Sequence, residues 1–524
     1  MIEYRKKLSD ITNYIKNNSD SPNTELNELL FDFYRSYSDD ADCVCETEEE
    51  IRKIIPSVSV YYQIYLYSFL MRFSKNADVF NDLVVLATNE LDIPLIMQFV
   101  YQQCSSFYFL NPSVNNYETD RLLWRLHQKT VSLIKDNFRE SLEPIPICER
   151  DPNFVIVICD QFLSSAHGPT KTSSDRCKIL IENCRKKVFL INTGEVLNCV
   201  GEIPFFSPLK GNYIDHLEKA ETISWKECKI PFFQCPKGMP DFGIYGYLLE
   251  TIRKMRPYYI VAIGADGFFS QLANELVPVL TVGLCPSKLA MTETTCQTLS
   301  KKLTKEDIAL LESVGYDQSH VIKSAFSYSL VEKDGSLLRE NLNIYSDSFV
   351  ISIVGGRLGS EMDSDFMQML ADIAAKHTNV EYMILGSLGS NMSLEDLPYY
   401  EKISEKTHFF YMVKDILSYL ELSDLYINPT RRGGGGSAVE ALTVNVPVIT
   451  TDYGDVAVNV GDDFIVKDYE EMKERIDKMI SDTDYRKEQS LRAKSRAQYL
   501  LDSDRHFMET LEEFEGIIIQ ETIA

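Results

Sequence analysis

No run of about 20 uninterrupted apolar residues, the length a membrane-spanning helix needs, occurs in this 524-residue chain. The longest aromatic-apolar run, "VYYQIYLYSFLMRF" (60–73), is broken by Gln63, Ser68 and Arg72. The opening "MIEYRKKLSDITNY" lacks an apolar core and a small-residue cleavage site, so no secretory signal is expected and a cytoplasmic location is. Cysteine stops at Cys296: the twelve cysteines contain no CxxC pair and no histidine spacing suited to zinc. They read as reduced, mostly buried thiols. Positive charge is in deficit, with 53 Lys and Arg against 78 Asp and Glu and a net charge of −25. Such a surface repels phosphate backbones and anionic lipid, which makes nucleic acid and membrane surfaces unnatural partners.

The chain instead has 44% apolar residues, an ordinary globular content, and two distinct rhythms. Up to about residue 145 the pattern is helical. "TELNELLFDFYRSY" places Leu26, Leu29, Leu30 and Phe33 on one face, and "LLWRLHQKTVSLIKDNF" does the same with Leu122, Leu123, Leu126, Leu133 and Ile134. "ESLEPIPICERDPN" (140–153), with three prolines, suits a linker. Beyond it, short β-branched runs alternate with helical stretches. "FVIVIC", "KVFLIN", "YYIVAIG" and "VLTVG" form one set; "FVISIV", "EYMILG", "THFFY", "DLYIN" and "VPVIT" form another. Apolar strands alternating with helices predict parallel sheets covered on both faces. The expected class is α/β, with two Rossmann-like domains after an all-α domain: 1–146 all-α, 147–335 and 336–505 Rossmann-like, and 506–524 a closing helix. Ligands in such sheets bind beyond the carboxyl ends of the strands.

One such end carries "INPTRRGGGGSAVEAL". A strand, four glycines (Gly433 to Gly436) and a helix start together make an anion site: backbone N–H groups point outward, the helix dipole favours negative charge, and missing Cβ atoms admit a phosphate. Arg431 and Arg432 add positive charge. Ser437 and Glu440 fit the S-x-x-E capping box, so Glu440 reads equally as a helix cap and as an acceptor for ribose hydroxyls. The "DSD" at 363–365 reads as a helix start rather than a metal site.

From about 349 to 466 the chain resembles the C-terminal domain of GT-B-fold glycosyltransferases of the family 4, group 1 type. "FVISIVGGRLGSE", "EYMILGSLG", "THFFYMVKDILSYLELSDLYINPT" and "GGGGSAVEALTVNVPVIT" are similar, in order and spacing, to that family's successive motifs. The resemblance implies a nucleotide-diphosphate sugar donor, UDP-linked, as substrate, with no cofactor and no metal. It implies that Arg357, Arg432, Gly433, Gly434, Gly435, Gly436 and Ser437 hold the donor diphosphate. It also implies that Glu440 holds the ribose, and that Tyr411, Met412 and Val413 meet the base. Gly454 and Asp455 would lie on the sugar side. Two departures stand out: Arg432 occupies a place where retaining relatives often carry Glu, and Met362 one where they often carry Lys. The first puts a retaining outcome in doubt.

The other half of the site is expected in "DQFLSSAHGPTKTSSDRCKIL" (160–180), after the first strand of the N-terminal sheet. There His167 is the candidate general base, its unperturbed pKa lying near 6.5, with Gly168, Thr170 and Lys171 on the sugar and acceptor side. In "IGADGFFSQLANEL", Asp266 is a candidate N-cap, and Ser270 and Gln271 candidates for the acceptor wall. The expected function is sugar transfer from a nucleotide sugar to an acceptor, a polypeptide being the candidate because a helical domain ahead of a GT-B pair resembles the architecture of cytosolic protein glycosyltransferases. A catalytically inactive GT-B binding subunit and a sugar-nucleotide epimerase on the same fold are the alternatives.

Overall fold

The computed structural model describes all residues except 1, 19–20, 39, 166, 197–211, 265, 326–327, 329–332, 334, 390–391 and 524. Up to residue 141 every element among the described residues is a helix, and the long helices begin on side-chain caps where the sequence supplies Asn or Asp. Asn23, Asp40, Asn76 and Asn116 each accept a backbone N–H of the helix that follows.

The first sheet has eight strands: β1 (Asp151–Cys159), β2 (Lys187–Asn192), β3 (Thr222–Trp225), β4 (Cys228–Gln234), β5 (Pro257–Ile263), β6 (Val279–Val282), β7 (Cys296–Leu299) and β8 (Val321–Lys323). Their order is β3-β4-β2-β1-β5-β6-β7-β8, parallel except for the β3–β4 ribbon. The second sheet has β9 (Phe349–Gly355), β10 (Val380–Gly386), β11 (Thr407–Phe410), β12 (Leu425–Ile427), β13 (Val448–Thr451) and β14 (Ile465–Val466), in the order β11-β10-β9-β12-β13-β14 and parallel throughout. Val155, Val157, Ile351 and Ile353 are fully buried, as β-branched central strands covered on both faces require.

The helical region does not close a core of its own. Leu83, Met97 and Leu126 belong to the same apolar cluster as Ile156, Ile158 and Ile260 on one face of the first sheet. The proline-rich segment expected as a linker is docked: Ile145 is buried and its N–H donates to Leu276 O (2.8 Å). Burying an Ile is worth about 1.5–3 kcal/mol, enough to fix a short connection. At the far end the helix Ser503–Ile523 returns to the first sheet, seating Phe507, Leu511, Phe514 and Ile518 with Val155, Tyr259 and Ile322. The chain therefore passes between the sheets twice. Among the described residues no helix is long and apolar enough to cross a membrane.

Candidate active site

β12 ends at Ile427, and the glycine loop turns into the helix Gly435–Thr443. The helix starts on Gly434 at φ 94°, with no side-chain cap. Ser437 is therefore its third residue rather than its cap, and its hydroxyl donates to Gly434 O (3.0 Å). That removes the capping-box reading of Glu440, which lies in mid-helix, and leaves the first turn's amides for an outside acceptor.

The glycines divide by what lies against them. A Cβ on Gly434 would stand 2.6 Å from Arg431 Nη2, and one on Gly435 would stand 2.5 Å from Asn459 Nδ2 and 2.9 Å from the Tyr328 hydroxyl. These two are bare because the protein's own side chains occupy the space. A Cβ on Gly433 would meet only Arg357 Nη2 (3.4 Å) and Phe109 Cζ (3.9 Å), and one on Gly436 only Tyr328 Cε1 (3.8 Å). Gly433 and Gly436 thus carry the loop's room for a ligand, with Arg357 beside the first.

The two neighbouring arginines part company. Arg431 lies beneath the loop, donating to Glu361 Oε2 (2.6 Å), Val354 O (2.6 Å) and Asn428 Oδ1 (2.8 Å). It is a structural pin, unavailable as a diphosphate ligand. Arg432, expected on the diphosphate, is turned to the helical region, with its guanidinium 4.3 Å from the Tyr108 ring centre. Arg357 stays at the loop, paired with Glu361 (3.1 Å) and 5.3 Å from the centre of Phe109. Glu361 thus serves both Arg357 and Arg431. Met362, in the place where a lysine was sought, is buried in the apolar core.

Glu440 is half-buried; burial raises its carboxyl above the usual range, and the charge of Lys171 opposes that rise. Lys171 belongs to the helix Gly168–Glu182 of the first sheet, so this interaction brings the two halves of the site together. His167 is the extended residue from which that helix starts, and its carbonyl accepts the Lys171 N–H (3.0 Å). Its Nδ1 is 3.1 Å from Thr170 Oγ1, which also accepts the Leu163 N–H (2.7 Å). Burial lowers the imidazole pKa. Thr170 is thereby a buried support for His167 rather than an acceptor ligand, whereas Gly168 is exposed.

After β13, a Cβ on Gly454 (φ 76°) would stand 2.2 Å from Arg431 O and 2.7 Å from Arg432 O, so glycine is required there to brace the loop. Asp455 accepts from Ser287 Oγ (2.7 Å) and donates its own N–H to Arg432 O (2.8 Å). It is a strut between the sheets and not a sugar ligand; burial pushes its carboxyl up to about 6. Tyr411 and Met412, after the edge strand β11, are 68% and 65% exposed, and Val413 is half-buried, so that turn is open to a base. In the first sheet, Asp266 is not an N-cap: Gly267 is, and Asp266 Oδ2 accepts from Tyr101 (2.8 Å) and Ser105 (3.1 Å) of the helical region. Ser270 and Gln271 are buried in internal hydrogen bonds and present no acceptor wall. Asp363 caps the helix Ser364–Lys376, as read for the "DSD". Glu361 had a signal in the sequence, standing four residues after Arg357; Tyr108, Phe109, Tyr328 and Asn459, distant in sequence, had none.

Residues 336–496 match the family model described as glycosyl transferases group 1. Over 262 residues, 48% of this chain and 67% of the relative, the sequence is 25% identical to CapM of Staphylococcus aureus, a capsular polysaccharide biosynthesis glycosyltransferase. A glycosyltransferase structure from Rickettsia africae superposes with a TM-score of 0.50 at 16% identity, covering 70% of this chain and 99% of that one. An O-GlcNAc transferase variant from Thermobaculum terrenum superposes with a TM-score of 0.50 at 10% identity over 99% of both chains. With two parallel sheets, a helical N-terminal region and a group 1 match over the glycine loop, the chain has the GT-B fold of these glycosyltransferases, and residues 336–496 carry the group 1 glycosyltransferase domain.

Proposed function

We propose that the chain transfers a sugar from a nucleotide-diphosphate donor, UDP-linked, to a hydroxyl or amide of a polypeptide in the cytoplasm. The observation that carries this reading is the uncapped start of the helix Gly435–Thr443, with Arg357 beside Gly433 and Glu440 across from Lys171. As the sugar C1–O bond to the diphosphate breaks, charge grows on the leaving oxygen. The loop amides, the helix dipole and Arg357 would meet that charge from fixed positions, and such preorganisation is commonly the largest catalytic term. Glu440 accepts from the ribose hydroxyls. In the tautomer that donates Nδ1–H to Thr170 Oγ1, His167 Nε2 keeps its lone pair and takes the acceptor's proton as the new C1–O bond forms.

The polypeptide acceptor is supported by the helical region's place in the site wall, where Phe109 lies against Arg357 and Gly433. It is supported also by the full-length likeness to a protein named as an O-GlcNAc transferase. Purified chain incubated with labelled nucleotide sugars and cell extract is expected to label a protein band. Label confined to lipid or free oligosaccharide would remove the polypeptide acceptor, and no consumption of any nucleotide sugar would remove the donor chemistry.

A further inference from the structure

A cavity of about 940 Å³ lies between the helical region, the first sheet and the second sheet. Asn115 and Trp124 line it from the helical region, Lys288 from the loop after β6, Lys323 from the end of β8, and Arg432 and Leu500 from the second half. Neither Gly433–Ser437 nor Arg357, Glu440 or His167 borders it, so it is not the space at the glycine loop.

Three buried polar atoms without a hydrogen-bond partner belong to residues lining this cavity: Arg432 Nη2, Trp124 Nε1 and Asn115 Oδ1. Burial without a partner is costly, and such groups call for an explanation. The arginine and the indole are N–H donors that cannot accept, so what they lack is an acceptor. Asn115 offers either end of its amide by turning. The Tyr108 ring lies between two cations, 4.4 Å from Lys288 Nζ and 4.3 Å from the Arg432 guanidinium. Lys288 Nζ meets both Asp120 oxygens, at 2.8 and 2.9 Å. Burial, with the nearby Arg432 and Lys301, pushes the Lys288 ammonium down to about 6, and burial pushes the facing Asp120 carboxyl up to about 7. Six basic and five acidic side chains line the cavity, a positive balance within a chain of net charge −25.

We infer that this cavity is a second ligand site, separate from the glycine loop, taking a small molecule with clustered anionic oxygens, phosphate or carboxylate, on Arg432, Lys288 and the Trp124 indole N–H. The site borders both passages of the chain between the sheets. Lys323 and Ala325 mark the first, Tyr499 and Leu500 the second, and Tyr328 N–H donates to Leu500 O (3.4 Å). An occupant therefore braces the angle between the sheets.

The chain has only two tryptophans, Trp124 in the cavity and Trp225 in β3. In the full chain carrying Trp225→Phe, Trp124 is the single emitter. Titration with inorganic pyrophosphate and, separately, with citrate at constant ionic strength is expected to change its emission saturably in at least one arm. The responding arm tells phosphate from carboxylate. Lys288→Gln is expected to raise the midpoint about tenfold, the loss of one charge-assisted contact. Lys323→Gln, which leaves the Asp120 pair intact, is expected to raise it severalfold, and Arg357→Ala to leave it unchanged. No saturable response in either arm overturns the site. So does a response indifferent to both lysine variants, or one abolished by Arg357→Ala.

Discussion

Glu361→Gln tests how the glycine loop is held. Arg431 and Glu361 are 4% and 11% exposed at their side chains and 2.6 Å apart, so both charges are out of water. Removing one partner of a buried pair strands the other, at about 3–5 kcal/mol. Glutamine keeps an acceptor oxygen for Arg431 Nη1, which puts the loss at the lower end, about 3 kcal/mol. For a unit of the second sheet's size this lowers Tm by about 6–12 °C. Calorimetry or far-ultraviolet circular dichroism is the suitable readout. UDP affinity falls as well, because Arg431 is the surface on which Gly434 rests. Arg357→Ala is the contrast. Its side chain is 39% exposed, and its surface pair is worth less than about 1 kcal/mol. Its loss removes a charge-assisted contact to the donor, so UDP affinity drops at least about tenfold at nearly unchanged Tm. If Glu361→Gln unfolds within about 1 kcal/mol of the parent chain, the charge pair is not what holds the loop and the reasoning fails.

His167→Ala should lower the turnover rate by about 10²–10⁴-fold while UDP still binds. Because burial lowers its pKa, the rate of the parent chain should rise with pH through a value below the usual 6.5 and stay flat above it, a limb that His167→Gln abolishes. Glu440→Gln should weaken UDP binding yet raise Tm at pH 7. The Glu440 carboxyl is raised by burial, so the folded chain holds its proton more tightly than the unfolded one. The stability this gives is present at low pH and lost as pH rises through the folded pKa. Gly454→Ala should cost at least about 2 kcal/mol in thermal unfolding, since its Cβ would meet two backbone carbonyls at a positive φ.

The strands read most easily from the sequence are the parallel, doubly covered ones, whose continuous apolar runs have no other explanation. The β3–β4 ribbon escaped notice because "CKIPFFQ" alternates buried and exposed residues around a proline, the pattern of an edge ribbon. β7 is a polar "CQTL", and β14 has two residues. In the site, the chemistry of the loop was legible but its directions were not. Arg431 and Arg432 are identical in sequence terms, yet one turns beneath the loop and the other toward Tyr108, a choice made by residues far away in the chain. The S-x-x-E pattern misled for a local reason: glycine at Gly434 lets the helix start early, which places Ser437 inside it. The helical region read as a separate domain because its own periodicity is complete. Its dependence on Ile156, Ile158 and Ile260 appears only in packing.

That shared core bears on why four glycines stand together. Two of them give space to Arg431, Asn459 and Tyr328, which set the loop from within. Gly454 lets the chain after β13 press on the carbonyls of Arg431 and Arg432 from behind. Phe109, anchored through the helical region to the first sheet, reaches Arg357 and Gly433 from the front. A loop of four glycines left to itself would be costly to order. Held on three sides, its remaining freedom is confined to Gly433 and Gly436, where an incoming phosphate would sit. The helical region is then part of how the glycine loop is fixed, and its anchorage on the first sheet links the two halves of the chain there through packed side chains.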